Sequence, residues 1–286
     1  MNTTLQNLEP SLFYFTLAAY VVSMLAYWLW MAMKGDTVGK VATFATIIGL
    51  AGNAGALVVR MLITHRAPLA NGYEFILTFT LGIAAVYLFA EHRYRVRALG
   101  SFVMPIAFLL LMFIVMAMGP EERVAQGIMP ALKSHWLEFH VLTAMLSYGA
   151  FAISFGLGLM YLLRASAEAK GPLKKDSVVA RFPALDSLDE TAYKVVGFAF
   201  PMLSLCIISG AIWANYAWGT YWSWDPKETW SLITWIIYAG YLHARLMYGW
   251  KGKRAAWLAV IGFVAVLFTF FGVNYFLPGL HSYARG

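Results

Sequence analysis

Residues 193–230 read YKVVGFAFPMLSLCIISGAIWANYAWGTYWSWDPKETW: a long apolar run, then four tryptophans and a tyrosine crowded around DPKE, then the opening of a second apolar run. The run over 193–214 is long enough to cross a bilayer, since a helix needs roughly 20 apolar residues to span the hydrocarbon core. In DPKE, Asp225 stands where an N-cap belongs. Pro226 takes the first helical position, where its missing N–H costs nothing, and Glu228 takes the third. The stretch therefore reads as one membrane helix, a tryptophan-rich loop over about 215–230, and a second membrane helix that starts at Pro226.

The same pattern recurs along the chain. Apolar runs at about 11–33, 40–63, 73–90, 98–118, 136–163, 193–214, 230–249 and 255–277 predict an all-α polytopic membrane protein with about eight transmembrane helices, one domain over 1–286. Of the 286 residues, 61% are hydrophobic and 12% charged, against about 25% charged in soluble domains. The first run reads as a span and not a signal peptide, because MNTTLQNLEP has no basic residue ahead of it.

Lysine and arginine in the connections set the expected orientation. One set of connections holds Arg66, Arg123, Lys133, Lys227 and Arg285, five in all. The alternate set holds Lys34, Lys40, Arg93, Arg95, Arg97, Arg164, Lys170, Lys174, Lys175, Arg181, Lys194, Lys251, Lys253 and Arg254, fourteen in all. Both termini and the tryptophan loop are thus expected outside, and the polar connection 164–192 inside. The net charge of +7 is accounted for by this asymmetry, and nucleic acid is not among the expected partners. Cys206, the chain's one cysteine, falls within the sixth run; it allows no disulfide, CxxC pair or CxxCH motif and reads as a small packed residue. Glycines at 49, 52, 55, 156 and 158 suggest close helix packing.

An aromatic belt at the membrane boundary accounts for one or two tryptophans per helix end. Trp218, Tyr221, Trp222 and Trp224 fall within seven residues, with Trp230 just beyond in the next helix. That density favours a shelf for a planar, apolar ligand, with the belt still open on composition alone. Asp225 reads mainly as the helix cap. Of the six histidines, His92 sits in the basic segment EHRYRVR and His135 at the outer boundary. His65 opens the turn-rich THRAPLANGYE, where capping and packing compete with ligation. His140 lies early in the fifth run and His281 after the last, both on the side of the tryptophan loop. Two imidazoles from different elements are what six-coordinate haem iron requires. His243 follows Trp230 by thirteen residues, roughly 20 Å along a helix at about 1.5 Å per residue. An ionisable group at that depth is a candidate functional site, and no second histidine is placed to pair with it.

WGTYWSWDPKETWSLITWIIYAGYLH resembles the WWD segment of the haem-handling proteins of cytochrome c maturation, in particular the CcsA (ResC) type of the two-subunit cytochrome c synthase. The likeness runs from about residue 60 to the end, through THRAPLANGYE, SHWLEFHV and GLHSYA; one departure is Thr64, where the family pattern has glycine. The resemblance implies that His140 and His281 ligate haem iron beside the WWD segment, with Trp218, Tyr221, Trp222, Trp224, Asp225 and Trp230 around the ring. It implies that His243 ligates haem (haem b) at a second, intramembrane site, where the other ligand comes from a CcsB (ResB) subunit. The implied reaction joins the haem vinyl groups to the thiols of CxxCH in apocytochrome c, on the outer side of a bacterial plasma membrane or a thylakoid membrane. The alternatives are a haem transporter or holdase without synthase activity, and a quinol-linked b-type di-haem electron carrier. The latter needs two ligand pairs within the membrane, and His243 is the single histidine at depth.

Overall fold

A computed structural model describes residues 3–33, 35–125, 130–174 and 176–279. Among them the chain is all helix: α1 (Thr3–Ala32), α2 (Thr37–Thr64), α3 (Gly72–Tyr94), α4 (Gly100–Ala117), a short α5 (Pro120–Arg123), α6 (His135–Glu168), α7 (Leu185–Trp218), α8 (Pro226–Tyr248), α9 (Lys253–Leu267) and α10 (Val273–Phe276). A π-helical turn, Phe268–Gly272, joins α9 to α10 in one continuous rod. Among the described residues, seven helices are long and apolar enough to cross a membrane. The eighth long one, α8, matches α3 at 23 residues but is less apolar. Its inward side carries Thr234, Tyr238, Tyr241 and Arg245, all buried. It is nonetheless built into the bundle: Tyr238 stacks on Phe151 of α6 at 3.6 Å, and the Trp235 indole donates to Ser204 Oγ of α7 at 2.9 Å.

The centre of the bundle is α6, which packs against α7 along much of its length and also touches α3, α4 and α9. α1 and α2 form a hairpin at the periphery. Their close approach depends on Gly49 and Gly52: a Cβ at Gly49 would stand 2.5 Å from the Tyr20 ring, and one at Gly52 would stand 2.7 Å from Thr16 Oγ1. Gly158 brings α6 against α9 in the same way, with a Cβ 3.0 Å from the Ala256 carbonyl.

A buried ionic cluster ties α1, α2 and α3 together. Glu74, fully buried, accepts from Arg60 Nε at 2.9 Å and from Arg66 at 2.8 and 3.0 Å, while Arg60 also meets Glu9 at 3.2 Å. Asn71 caps α3 by accepting from the Glu74 N–H, and Glu74 Oε2 accepts from the Ala70 N–H. The loop before α3 is therefore organised by one carboxylate. His65 ends α2 as a C-cap in the left-handed region, φ 53°.

Candidate functional site

Ser134 starts α6, its hydroxyl accepting from the Trp136 N–H, and this sets His140 early in the helix, facing α7. The His140 Nδ1 lies 2.7 Å from the Cys206 carbonyl oxygen. A carbonyl can only accept, so Nδ1 carries the proton, and in the neutral ring the lone pair is on Nε2. Metal-ligating histidines are oriented in this way, by donating from the nitrogen that does not bind the metal. The notch that admits the ring is Gly210, where a Cβ would stand 2.7 Å from Nδ1 and 2.8 Å from Cε1. Trp213, buried, lies nearly parallel to the imidazole, with centroids 6.3 Å apart and planes at 22°. Trp218 meets Trp213 edge-on at 4.8 Å.

The loop between α7 and α8 is held by the cap predicted from DPKE. Asp225 Oδ1 accepts from the Lys227 N–H at 2.9 Å, and Glu228 Oε2 accepts from the Asp225 N–H at 3.1 Å and the Ser223 N–H at 2.8 Å. Trp224 sits between these bonds at φ 59°, a region uncommon for a bulky residue. Strain of this kind persists only where the surroundings fix it. Trp224 is 68% exposed and stands perpendicular to Trp222 at 5.8 Å.

Tyr221 and Trp222 line a pocket together with His140, Cys206, Trp213 and Lys227, walled further by Phe79 of α3, Tyr148 of α6 and Phe270 of the π turn. Its cavity volume is about 120 Å³ and it is open at its mouth; this is smaller than the roughly 300–1,000 Å³ of occupied ligand pockets, so a large planar ligand extends through the mouth or displaces the side chains there. Lys227 precedes the apolar run that begins at Trp230. Burial pushes its ammonium down to about 8, against the opposing influence of Asp225. Its Nζ donates to Asn274 Oδ1 at 3.0 Å.

The model for the family described as "Cytochrome C assembly protein" matches residues 69–281. The chain belongs to this family. Its relatives there include CcsA cytochrome c biogenesis proteins from Guillardia theta (37% identical, 94% of each chain covered), Pyropia yezoensis (36%, 98% of each) and Gloeobacter violaceus (35%, 93% of each). The fold is similar to a solved structure of the cytochrome c heme lyase CcmF, with a TM-score of 0.69 at 16% identity. That match covers 92% of this chain but 46% of the CcmF chain, so the chain spans less than half of that longer protein.

Of the residues expected to surround a ligand in this family, the structure brings His140, Tyr221 and Trp222 to one pocket, with Trp224 against Trp222 at its edge. Trp218 stands behind Trp213, and Trp230 packs on Phe268 at 4.1 Å; neither lines the pocket. Asp225 is the buried helix cap. His281 lies outside the described residues. Gly279, two residues before it, runs against the loop: a Cβ there would meet the Asp225 carboxylate, and Pro226 Cδ at 3.1 Å. His243 is elsewhere, exposed near the end of α8, its ring against Tyr248 at 5.6 Å and without a hydrogen bond among the described residues. Exposed Leu246, Met247 and Tyr248 follow it on the same helix end. His135 is exposed beside Glu138 at 3.0 Å.

Trp213, Gly210 and Lys227 are pocket residues that sequence reasoning missed. Trp213 lies inside an apolar run where a lipid-facing tryptophan looks the same. Lys227, in the sequence, is indistinguishable from a charge that sets topology.

Proposed function

We propose that this chain is the haem-handling component of a cytochrome c synthase. It holds haem in the pocket beneath the WWD loop and presents it, on the outer side of the membrane, for attachment to apocytochrome c. The observation that carries this reading is the His140 Nδ1 contact to the Cys206 carbonyl, in an aromatic pocket lined by Tyr221 and Trp222. His140, through Nε2, and His281 would hold the haem iron. Trp213 and Trp222 provide flat apolar faces, and Trp224 covers the edge nearest solvent. Haem supplies the vinyl groups to which the two thiols of a CxxCH segment add. The contribution of the chain is orientation, which turns an encounter in solution into a local one.

His243 serves a second, intramembrane site. Exposed on α8 and without a hydrogen bond among the described residues, it is set where a partner subunit of CcsB type can cover it and supply the opposing histidine. An uncovered imidazole facing lipid would be costly, which favours such a partner. The membrane is a bacterial plasma membrane or a thylakoid membrane.

The test is haem content and absorption spectrum of the protein purified with a CcsB-type partner. His140→Ala and His281→Ala are expected to lose the bis-histidine spectrum of the outer site and most cytochrome c yield. His135→Ala, altering an exposed side chain, should keep both. Wild-type haem loading and yield in the His140 and His281 variants would refute the assignment.

A further inference from the structure

Lys227 puts an ammonium into a pocket walled mainly by aromatic and aliphatic side chains. It stands in the first turn of α8, where the positive end of the helix dipole disfavours a cation. A lysine stem is long enough to carry its charge out to water. Here Nζ is instead turned to Asn274 of α10, a neutral acceptor, and forms no ion pair among the described residues. Of the neighbouring carboxylates, Asp225 Oδ1 accepts from a backbone N–H and Glu228 Oε2 from two, while Glu228 Oε1 is buried without a partner among the described residues. Asp225 lies near enough to favour the charge, yet no carboxylate pairs with Nζ among the described residues, so two of the three ammonium donors remain for an anionic group on a ligand in the pocket.

From this geometry we infer that Lys227 binds a carboxylate on the edge of the planar ligand, which, on the haem reading above, is a propionate. His140 lines the same pocket from α6. Held by His140 alone, a bound ring would be free to turn. A second anchor at the ring's edge stops that rotation and decides which edge faces the loop. Lys227 is then a positioning residue: it fixes where the vinyl-bearing edge stands relative to an incoming thiol.

The experiment compares haem b with its propionate dimethyl ester, titrated by absorbance into the purified, haem-stripped protein. Wild type is expected to favour the free acid by about tenfold or more, the scale of one charge-assisted hydrogen bond. Lys227→Met should bind both forms with the affinity that wild type shows for the ester, and Lys227→Arg should keep the preference. If Lys227→Met does not fold, Lys227→Gln serves in its place. A preference that survives in the neutral variants overturns the inference, as does an equal loss for both forms, which would mark Lys227 as structural. Binding of neither form by wild type would overturn the haem reading itself, and this inference with it.

Discussion

Gly210→Ala tests whether the orientation of His140 is what makes the pocket a ligand site. The added Cβ would stand 2.7 Å from Nδ1 and 2.8 Å from Cε1, well inside ordinary contact at about 3.5–4.0 Å. The imidazole must turn away, which breaks its bond to the Cys206 carbonyl. That bond is worth about 0.5–1.5 kcal/mol net, and overpacking adds about 1–3 kcal/mol. The two together come to about 1.5–4.5 kcal/mol, so haem should bind roughly 10- to 2,000-fold more weakly. The assay is haem titration by absorbance, with thermal unfolding of the same samples. Gly240→Ala is the control: nothing lies within 4 Å of its Cβ position, and alanine raises helix propensity by up to about 1 kcal/mol. Cys206→Ala keeps the backbone carbonyl and removes only Sγ, 3.5 Å from Nδ1, so it should change affinity by no more than a few-fold. Wild-type affinity and spectrum in Gly210→Ala would refute the reasoning.

Asp225→Ala should lower stability by about 0.5–2 kcal/mol through loss of the α8 cap, whereas Asp225→Asn keeps an acceptor and should bind haem nearly as wild type does. Loss of haem in the asparagine variant, read by the same titration, would mean that Asp225 does more than cap. Glu74→Gln leaves the buried Arg60 and Arg66 with Glu9 as the remaining carboxylate of the cluster, a change on the scale of about 3–5 kcal/mol. It should sharply reduce accumulation in the membrane and the unfolding midpoint; unchanged values for both would show that the cluster is dispensable.

Much of the architecture is visible in the chain itself. Apolar runs mark the long helices because lipid leaves the backbone no other partner, and DPKE marks the start of α8 to the residue. Helix length is less visible: α6 and α7 run on to 34 residues each, past the apolar stretches at 136–163 and 193–214, because nothing in Arg164–Glu168 or Leu185–Ala192 breaks a helix. The α1 helix likewise begins at Thr3, and so delivers Glu9 to Arg60. The tryptophans divide in a way that composition does not reveal. Trp222 lines the pocket, Trp218 at the end of α7 and Trp230 in α8 pack away from it, and Trp224 stays exposed where the backbone turns at φ 59°. Gly210 and Trp213 needed the approach of α6 to α7 before they meant anything, since each acts through His140.

The π turn at Phe268–Gly272 gives the last helix one residue more than regular winding would hold, and each extra residue shifts the phase of everything after it by about 100°. Asn274, which lines the pocket, and Gly279 beside Asp225 are thus placed by a dislocation in the coil. Loop length does not set their direction. The last turn of the rod is indexed the way a key is cut: shortening it by one residue would leave the helix longer in regular hydrogen bonds, yet point its end at the wrong wall.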